Sequence, residues 1–399
     1  MLKGKNVLLG VTGGIACYKA AALASALKKQ EADVHVVMTE NACEFITPLV
    51  FETLTGNECV VDTFERKGAF DVKHISLAKA ADLVVIAPAT ANVIAKLAHG
   101  LADDMLTTTV LACTAKKLVA PAMNTAMFEN QVTQDNIEIL KKYGYEIIEP
   151  AEGLLACGDS GKGKMPEPEV ILDYVIREIA FEKDLAGKKV LVTAGPTRES
   201  VDPVRFISNH SSGKMGYALA RAAMLRGADV TIVSGKTAID PPPFCKVIDI
   251  TDTQSMYDAV LSESDDADMI FKAAAVSDYT PAVTYDNKVK KKDGDMSIEL
   301  KRTKDILVEL GRRKHEGQYI CGFSMETENM LENSRKKLEK KNADMIVANN
   351  LKVAGAGFAH DTNIVTLITK DHYEELPIMT KFDTANAIID AALKEMGEK

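Results

Sequence analysis

The chain has 399 residues, 46% of them hydrophobic and 26% charged, and a formal net charge of −9. At ~100–200 residues per domain this length suggests two domains, and the composition excludes a largely disordered chain. The acidic balance argues against a general nucleic-acid binder, while leaving room for a local basic pocket that takes small anions.

Asn6–Val11 (NVLLGV) is a continuous apolar run, as expected of a parallel strand covered on both faces. Thr12-Gly13-Gly14 is a turn, Ile15–Lys29 an Ala/Leu-rich helix and Asp33–Met38 (DVHVVM) the next strand, which together form a βαβ unit. Asp82–Ala87 (DLVVIA) is another buried strand running into Pro88-Ala89-Thr90-Ala91-Asn92, and Lys117–Ala120 leads into Pro121-Ala122-Met123-Asn124. Pro166–Phe181 reads as a closing helix, and the charged segment Glu182–Gly187 as the domain boundary. The pattern then restarts: strand Lys189–Thr193, turn Ala194-Gly195-Pro196-Thr197, helix Lys214–Arg226 and strand Asp229–Ser234 (DVTIVS). "ADVHVVMT" and "ADVTIVSG" occupy the same place in the two halves. Asp268–Ala275, Asp344–Ala348 and Asn363–Ile368 read as further strands, Asn333–Lys341 as a solvated helix and Asp383–Lys394 as a C-terminal helix. This alternation predicts an α/β chain of two doubly wound, Rossmann-like domains, 1–186 and 187–399, each opening with a phosphate-binding strand–turn–helix unit.

The seven cysteines are odd in number, widely spaced and free of any CxxC, which points to free thiols in a reducing cytoplasm. No stretch reaches the ~20 apolar residues of a membrane span. The apolar start is broken by Gly13-Gly14 and Lys19, unlike a signal peptide.

Gly13-Gly14 between a strand and a helix reads as an anion site built from backbone N–H groups, or as a tight turn made for packing. It is not a GxGxxG, which disfavours a nicotinamide dehydrogenase. Thr39, Thr90 and Asn92 stand at strand ends, where ligands of open α/β sheets bind. His74 opens a helix and reads as structural or functional. Asn124 is a carboxylate-holding amide or a helix N-cap. Cys157 lies on a Gly-rich segment with Gly158, Gly161 and Gly163 that reads as a flexible loop able to close over a site.

These residues carry a resemblance. Pro121-Ala122-Met123-Asn124-Thr125-Ala126-Met127 is similar to the PxMNxxM motif of flavin-containing cysteine decarboxylases. Ala156-Cys157-Gly158-Asp159 with Gly161, Gly163, Met165 and Glu167-Pro168 resembles their substrate-recognition clamp. Arg205–Gly216 (RFISNHSSGKMG) and Ala273–Tyr279 (AAAVSDY) resemble phosphopantothenate–cysteine ligases of the bacterial, CTP-using type. Across essentially the whole chain, the order of motifs resembles the bifunctional decarboxylase/ligase family of coenzyme A biosynthesis.

The resemblance implies FMN held by Gly13, Gly14, Ile15, Ala16, Thr39, Thr90 and Asn92. It implies His74 as a base, Asn124 on the departing carboxylate and Cys157 as proton donor. In the family, hydride passes from cysteine Cβ to flavin, CO2 leaves from the thioaldehyde, and hydride returns. For the second half it implies a CTP site at Ala273, Ala274, Asp278, Lys288, Lys304, Asp305, Ile306, Leu307, Phe323, Lys337 and Lys341, with Mg2+ on the triphosphate. Lys288 would stabilise charge on the α-phosphate, and Asn209 would serve cysteine addition to the acyl-cytidylate. Lys337 and Lys341, four apart on one predicted helix, would share a face. The rest of the Lys290–Lys292 run reads as a solvated face.

The substrates implied are 4′-phosphopantothenate, cysteine and CTP. The assembly implied is a homo-dodecamer of trimeric decarboxylase and dimeric ligase halves, with flavin sites between protomers. Three departures stand out: Lys304 where Pro is usual, Lys164 where Arg is common, and Phe128 where Trp or Tyr is common. The competing readings are a flavoprotein acting on another peptidyl-cysteine, a non-catalytic flavin-binding regulator, and a nicotinamide dehydrogenase.

Overall fold

The computed structural model describes residues 1–64, 72–154, 158, 160–290, 296–326, 330–350 and 362–397. They fall into two compact units, Met1–Glu182 and Lys183–Lys399. The second begins four residues before the predicted boundary because the linker is tied to it. Lys183 Nζ donates to the Leu225 carbonyl, the Leu185 N–H to the Arg226 carbonyl, and the Arg226 guanidinium to Asp184.

The first unit is built on β1 (Asn6–Val11), β2 (Asp33–Met38), β3 (Cys59–Val60), β4 (Leu83–Ala89), β5 (Lys116–Pro121) and β6 (Glu146–Ile147). They form one parallel sheet of order β3-β2-β1-β4-β5-β6. Every residue of β4 (LVVIAPA) is buried, because helices cover both faces. Helices Cys17–Lys29, Pro48–Thr55 and Pro168–Ile179 pack together, while Lys73–Ala80, Ala91–His99, Met105–Ala112 and Gln131–Lys142 form the other layer. The core on that second face joins Leu8, Val84, Ile86 and Val119 of the sheet to Val93, Ile94, Met105 and Leu140 of the helices. Each such side chain contributes roughly 1.5–3 kcal/mol when fully buried.

An antiparallel hairpin follows, β7 (Ala151–Leu154) and β8 (Ser160–Lys164). The segment predicted as a flexible loop is therefore a paired strand on its far side. Its glycines serve close approach: a Cβ on Gly161 would stand 2.7 Å from Thr125 Oγ1, and one on Gly163, at φ 131°, 2.4 Å from the Met123 carbonyl oxygen. The Met123 N–H donates to the Gly163 carbonyl at 3.0 Å, which closes the contact.

The second unit contains β9 (Lys189–Ala194), β10 (Arg198–Ser200), β11 (Phe206–Ser208), β12 (Asp229–Ser234), β13 (Lys246–Asp249), β14 (Met269–Lys272), β15 (Tyr279–Pro281), β16 (Leu300–Arg302), β17 (Tyr319–Glu326), β18 (Met345–Asn350), β19 (Thr362–Asn363), β20 (Val365–Ile368), β21 (Tyr373–Glu375) and β22 (Met379–Thr380). Eight of them form a sheet of order β13-β12-β9-β14-β17-β18-β20-β21, parallel except for the last two pairings. Both units thus repeat the doubly wound order, with the direction of winding reversing between β1 and β4 and between β9 and β14. Helices Thr253–Ser264, Ile306–Arg313 and Met330–Lys340 line one face, whose core includes Leu191, Val260, Ile270, Leu307 and Leu338. Helices Lys214–Leu225 and Lys381–Glu395 pack together elsewhere on the unit.

Three other Ala-Asp pairs, Ala81-Asp82, Ala267-Asp268 and Ala343-Asp344, share one structural role. The carboxylates of Asp82 and Asp268, each preceding the strand beside the first, accept the N–H of Asn6 and Lys189 at 2.7 Å. Asp344 does the same for Ile320 at 2.7 Å. Each aspartate satisfies a backbone donor at the amino edge of its sheet.

The second unit corrects one expectation. Its first turn does not run straight into a helix, because the hairpin β10–β11 intervenes before Lys214–Leu225. The turn is bound to its neighbours instead. The Ala275 N–H donates to the Gly195 carbonyl at 3.0 Å, and a Cβ on Gly195 would stand 2.7 Å from the Gly235 carbonyl oxygen. The turn predicted to bind phosphate in the second half is thus packed against both neighbouring loops.

Candidate active sites

In the first unit a cavity of about 570 Å³ opens at the carboxyl end of the sheet, where the winding reverses. Gly13, Gly14, Ile15 and Ala16 line one side, Thr90 and Ala91 the next, and Met123, Asn124 and Met127 the third. Lys164 and Met165 of the hairpin side complete it. Buried Thr12 pins the first two walls together: its hydroxyl donates to the Pro88 carbonyl at 2.8 Å and accepts the Thr90 N–H at 3.1 Å.

Of the seven residues implied for FMN, five line this cavity. Gly13 owes its lack of a side chain to Asn41, whose Cβ would lie 2.5 Å from an added Cβ, whereas Gly14 faces space with only Thr90 Cγ2 at 3.8 Å. Among the described residues no acceptor meets the N–H groups of Gly14, Ile15 or Ala16, the orphan donors expected at the start of Cys17–Lys29. Thr90 caps its own helix, accepting from the Val93 N–H at 3.4 Å. Thr39 is buried at the end of β2, and its hydroxyl has no partner among the described residues. Asn92 is exposed and outside the lining.

Asn124 is an N-cap, its Oδ1 accepting the Ala126 N–H at 2.8 Å, and it also lines the cavity. The N-cap reading is met, and the side chain stands where the cavity leaves room for a ligand. His74 is the second residue of its helix, half-buried, and outside this cavity. Cys157 lies outside the described residues, as do its neighbours Leu155, Ala156 and Asp159.

Sequence reasoning passed over Lys19. Its nearly buried ammonium donates to the Met165 carbonyl at 3.2 Å and pairs with Glu167 at 2.8 Å, joining the first helix to the hairpin's exit on the cavity wall. Hydrogen bonding from Lys19 holds the Glu167 carboxyl below its usual range. Lys164 adds a longer contact to Glu167, at 3.9 Å. Lys19 sits in an Ala/Leu-rich helix and is 6% exposed. A lysine at a buried helix position was the available signal.

In the second unit a cavity of about 360 Å³ lies beyond the carboxyl end of β14. Asp278, Lys304, Asp305, Ile306 and Lys341 of the implied CTP set line it, together with Lys272 and Arg302. Asp305 caps helix Ile306–Arg313 by accepting the Leu307 and Val308 N–H groups at 3.1 and 3.2 Å, and it pairs with Lys341 at 3.0 Å. Burial works against the Asp305 carboxylate, but Lys341 and the Val308 N–H outweigh it and hold its pKa low. Lys304, where Pro is usual, stacks its ammonium 4.6 Å from the Tyr257 ring centroid.

The remaining implied residues do not line the cavity. Buried Ala274 donates its N–H to Thr193 Oγ1 at 3.0 Å, Ala273 follows β14, and Leu307 is in the core. Phe323 is half-buried on β17, and Lys337 half-buried on its helix. That helix ends at Lys340, so Lys341 follows its last turn, joined to it by a 3.0 Å bond from its N–H to the Lys337 carbonyl. Asn209 Nδ2 donates to the Ala275 and Val276 carbonyls at 3.3 and 3.2 Å, and Val276 lines the cavity. Lys288 is exposed and stands apart from the lining, while Lys291 and Lys292 lie outside the described residues.

Lys272 was missed in the sequence because it ends an ordinary strand run, MIFK. Burial pushes its amine from 10.5 down to about 8, and Lys341 adds repulsion against the opposing pull of Asp305 and Asp278. Among the described residues no group of three or more His, Cys, Asp or Glu side chains could hold a metal ion. No described helix is long and apolar enough to cross a membrane.

Residues 1–180 match the Flavoprotein family, and residues 185–396 the DNA/pantothenate metabolism flavoprotein C-terminal domain. The chain is 51% identical over 406 residues to the coenzyme A biosynthesis bifunctional protein CoaBC of Bacillus subtilis, covering 100% of both. It is 40% identical to the Escherichia coli K12 protein of that name, covering 100% of this chain and 99% of the relative. Among solved structures it is similar to the C-terminal domain of such a protein, at 42% identity and a TM-score of 0.47, covering 55% of this chain and 100% of that one. It is also similar to a PPC decarboxylase mutant complexed with pantothenoylaminoethenethiol, at 34% identity and a TM-score of 0.39, covering 43% and 96%. With two family models in this order and full-length relatives well above 30% identity, the chain belongs to the CoaBC family of bifunctional coenzyme A biosynthesis proteins.

Proposed function

We infer that the chain performs two consecutive steps of coenzyme A biosynthesis. The second unit ligates 4′-phosphopantothenate with cysteine at the expense of CTP, and the first unit decarboxylates 4′-phosphopantothenoylcysteine to 4′-phosphopantetheine. One observation carries the division of labour. Each unit has its own cavity beyond the carboxyl ends of its own sheet, one walled by methionines and orphan N–H groups, the other by four cations.

The first cavity fits FMN. Orphan N–H groups at Gly14–Ala16 and the unpartnered Thr39 hydroxyl offer donors to a phosphate and ribityl chain, and Met123, Met127 and Met165 offer apolar surface to a ring. Bound there, FMN supplies a reversible two-electron acceptor, so a cysteine carboxylate can leave as CO2 without an outside reductant. Asn124 holds that carboxylate before it departs. His74 accepts a proton beside the substrate, and Cys157 returns one to the product. The exposed apolar rim of the cavity, Ile15, Tyr18, Met127 and Leu154, supports completion of this site by a second copy, as in a trimer of first units. Dimeric second units would then close a dodecamer.

In the second unit the carboxylate of phosphopantothenate attacks the α-phosphorus of CTP and expels pyrophosphate. The cysteine amine then attacks the acyl carbon, forming the amide and releasing CMP. Arg302, Lys304 and Lys341 supply positive charge to the triphosphate, which brings Mg2+ with its own waters. Lys288 meets charge on the α-phosphate and Asn209 serves cysteine addition. Free thiols at the six described cysteines support a cytoplasmic setting.

The test is flavin spectroscopy and two half-reaction assays on one preparation. The protein is expected to be yellow, and to exchange pyrophosphate into CTP only when phosphopantothenate is present. Cys157→Ser is expected to release CO2 without forming phosphopantetheine. Colourless protein, or normal turnover by that variant, would remove the corresponding assignment.

A further inference from the structure

The backbone beside Lys288 is held from both sides by one ion pair, between buried Asp202 and exposed Arg205. Asp202 is 3% exposed. Its Oδ1 accepts the N–H groups of Val204 at 2.9 Å and Arg205 at 2.8 Å. Its Oδ2 accepts the Arg205 guanidinium, with Nε at 3.0 Å, and also the N–H of Val289 at 3.1 Å. Arg205 Nη2 completes the ring by donating to the Val289 carbonyl at 3.1 Å. Both polar groups of the Val289 peptide backbone are thus taken by the Asp202–Arg205 pair, 84 or more residues away in sequence. Two further bonds run the same way: the Tyr285 N–H to the Val201 carbonyl at 3.0 Å, and Thr284 Oγ1 to the Ser200 carbonyl at 3.3 Å.

The arm so fastened begins and ends at the rim of the charged cavity. β15 and β16 pair antiparallel, Tyr279 opposite Arg302, and those two residues line the cavity. The arm leaves the rim after Pro281 and returns at Leu300. Among the described residues the Lys288 ammonium has no hydrogen bond or ion pair, and it is exposed. A fixed backbone thus carries a side chain free to meet a ligand. The Arg205 guanidinium, with three backbone donors behind it, holds the Asp202 carboxyl far below its usual range. The pair therefore stays charged at any pH at which an enzyme of this kind works.

We propose that Asp202 and Arg205 are positioning residues of the ligase site: they fasten the arm at Val289 and thereby fix where Lys288 stands relative to the nucleotide cavity. Neither needs to touch substrate for this. The inference rests on the reading of Lys288 as a nucleotide contact, and the experiment separates the two.

The dissociation constant of CTP with Mg2+ is measured by calorimetry on four full-length proteins: wild type, Asp202→Asn, Lys288→Gln and the double variant. Asp202→Asn keeps the shape but loses the ionic hold on Arg205. It is expected to weaken CTP binding roughly tenfold with Lys288 present, and by less than twofold in the Lys288→Gln background, since its effect passes through Lys288. Equal weakening in both backgrounds, or none in either, overturns the proposal. Wild-type affinity in Lys288→Gln alone instead removes the reading of Lys288 as a contact. Decarboxylation of supplied phosphopantothenoylcysteine is expected to stay unchanged in all four proteins. If Asp202→Asn does not fold, Arg205→Lys takes its place in the same cycle. It keeps a cation beside Asp202 and loses the bond to the Val289 carbonyl, with the same outcomes deciding.

Discussion

Replacing Lys272 by Met should make the ligand-free protein more stable. A lysine whose pKa falls from 10.5 to about 8 is one whose charge the fold disfavours. At ~1.4 kcal/mol per tenfold change in proton affinity, the penalty is at most about 3.5 kcal/mol, and roughly 1–3 kcal/mol once the part of the side chain left wet by the cavity is allowed for. The direction with pH follows from proton counts. Below pH 8 both folded and unfolded chains hold the proton and the whole penalty is present. Between about 8 and 10.5 the unfolded chain still holds it while the folded chain has released it, so stability contributed by this site rises with pH. Calorimetric unfolding of wild type and Lys272→Met without nucleotide should place the second unit's transition roughly 2–12 °C higher in the variant at pH 7, on the usual ~2–4 °C per kcal/mol for a unit of this size. By pH 10 the gap should have closed by most of that amount. A variant that is less stable at pH 7, or a gap that does not narrow as the pH rises, would refute the assignment of a buried, disfavoured charge.

Gly163→Ala should abolish decarboxylation and leave CTP-dependent ligation intact, because its Cβ would collide with a backbone oxygen at 2.4 Å; separate assays of the two half-reactions decide this. Thr39→Val removes a buried hydroxyl that has no partner among the described residues, so thermal unfolding of flavin-free protein should be unchanged or slightly later. Its retention of FMN on dilution should nonetheless fall roughly tenfold, the cost of about one hydrogen bond to a charged or polar ligand group; unaltered retention would remove Thr39 from the site. Arg226→Met removes a nearly buried guanidinium shared by Asp184 and Asp390 and should destabilise the second unit by about 3 kcal/mol, read as an earlier calorimetric transition.

The two sheets were legible because buried parallel strands leave continuous apolar runs, such as NVLLGV and KVLVTA, and because helices of ordinary length separate them. The walls of the first cavity were legible too, since each stands just past a strand end. What escaped depends on contacts distant in sequence. Gly161 and Gly163 look like loop glycines until they are seen pressed on Thr125 and Met123. Gly195 looks like a ligand-binding turn until Ala275 and Gly235 are found against it. Lys272 carries no local mark, because a lysine at a strand end is usually solvated, and Lys19 is marked only by the Ala/Leu-rich helix around it. The bond between Asp202 and Val289 spans 87 residues, and nothing within a sequence window records it.

The central claim is that one chain carries both steps in sequence, second unit first. Its most direct test is a time course on a single preparation supplied with 4′-phosphopantothenate, cysteine and CTP, following CMP, pyrophosphate, CO2 and both pantetheine-type products. Equal final amounts of CMP, pyrophosphate, CO2 and 4′-phosphopantetheine are expected, with 4′-phosphopantothenoylcysteine rising first and then decaying. Phosphopantothenoylcysteine that accumulates without CO2, or CO2 released with no CMP formed, would contradict it.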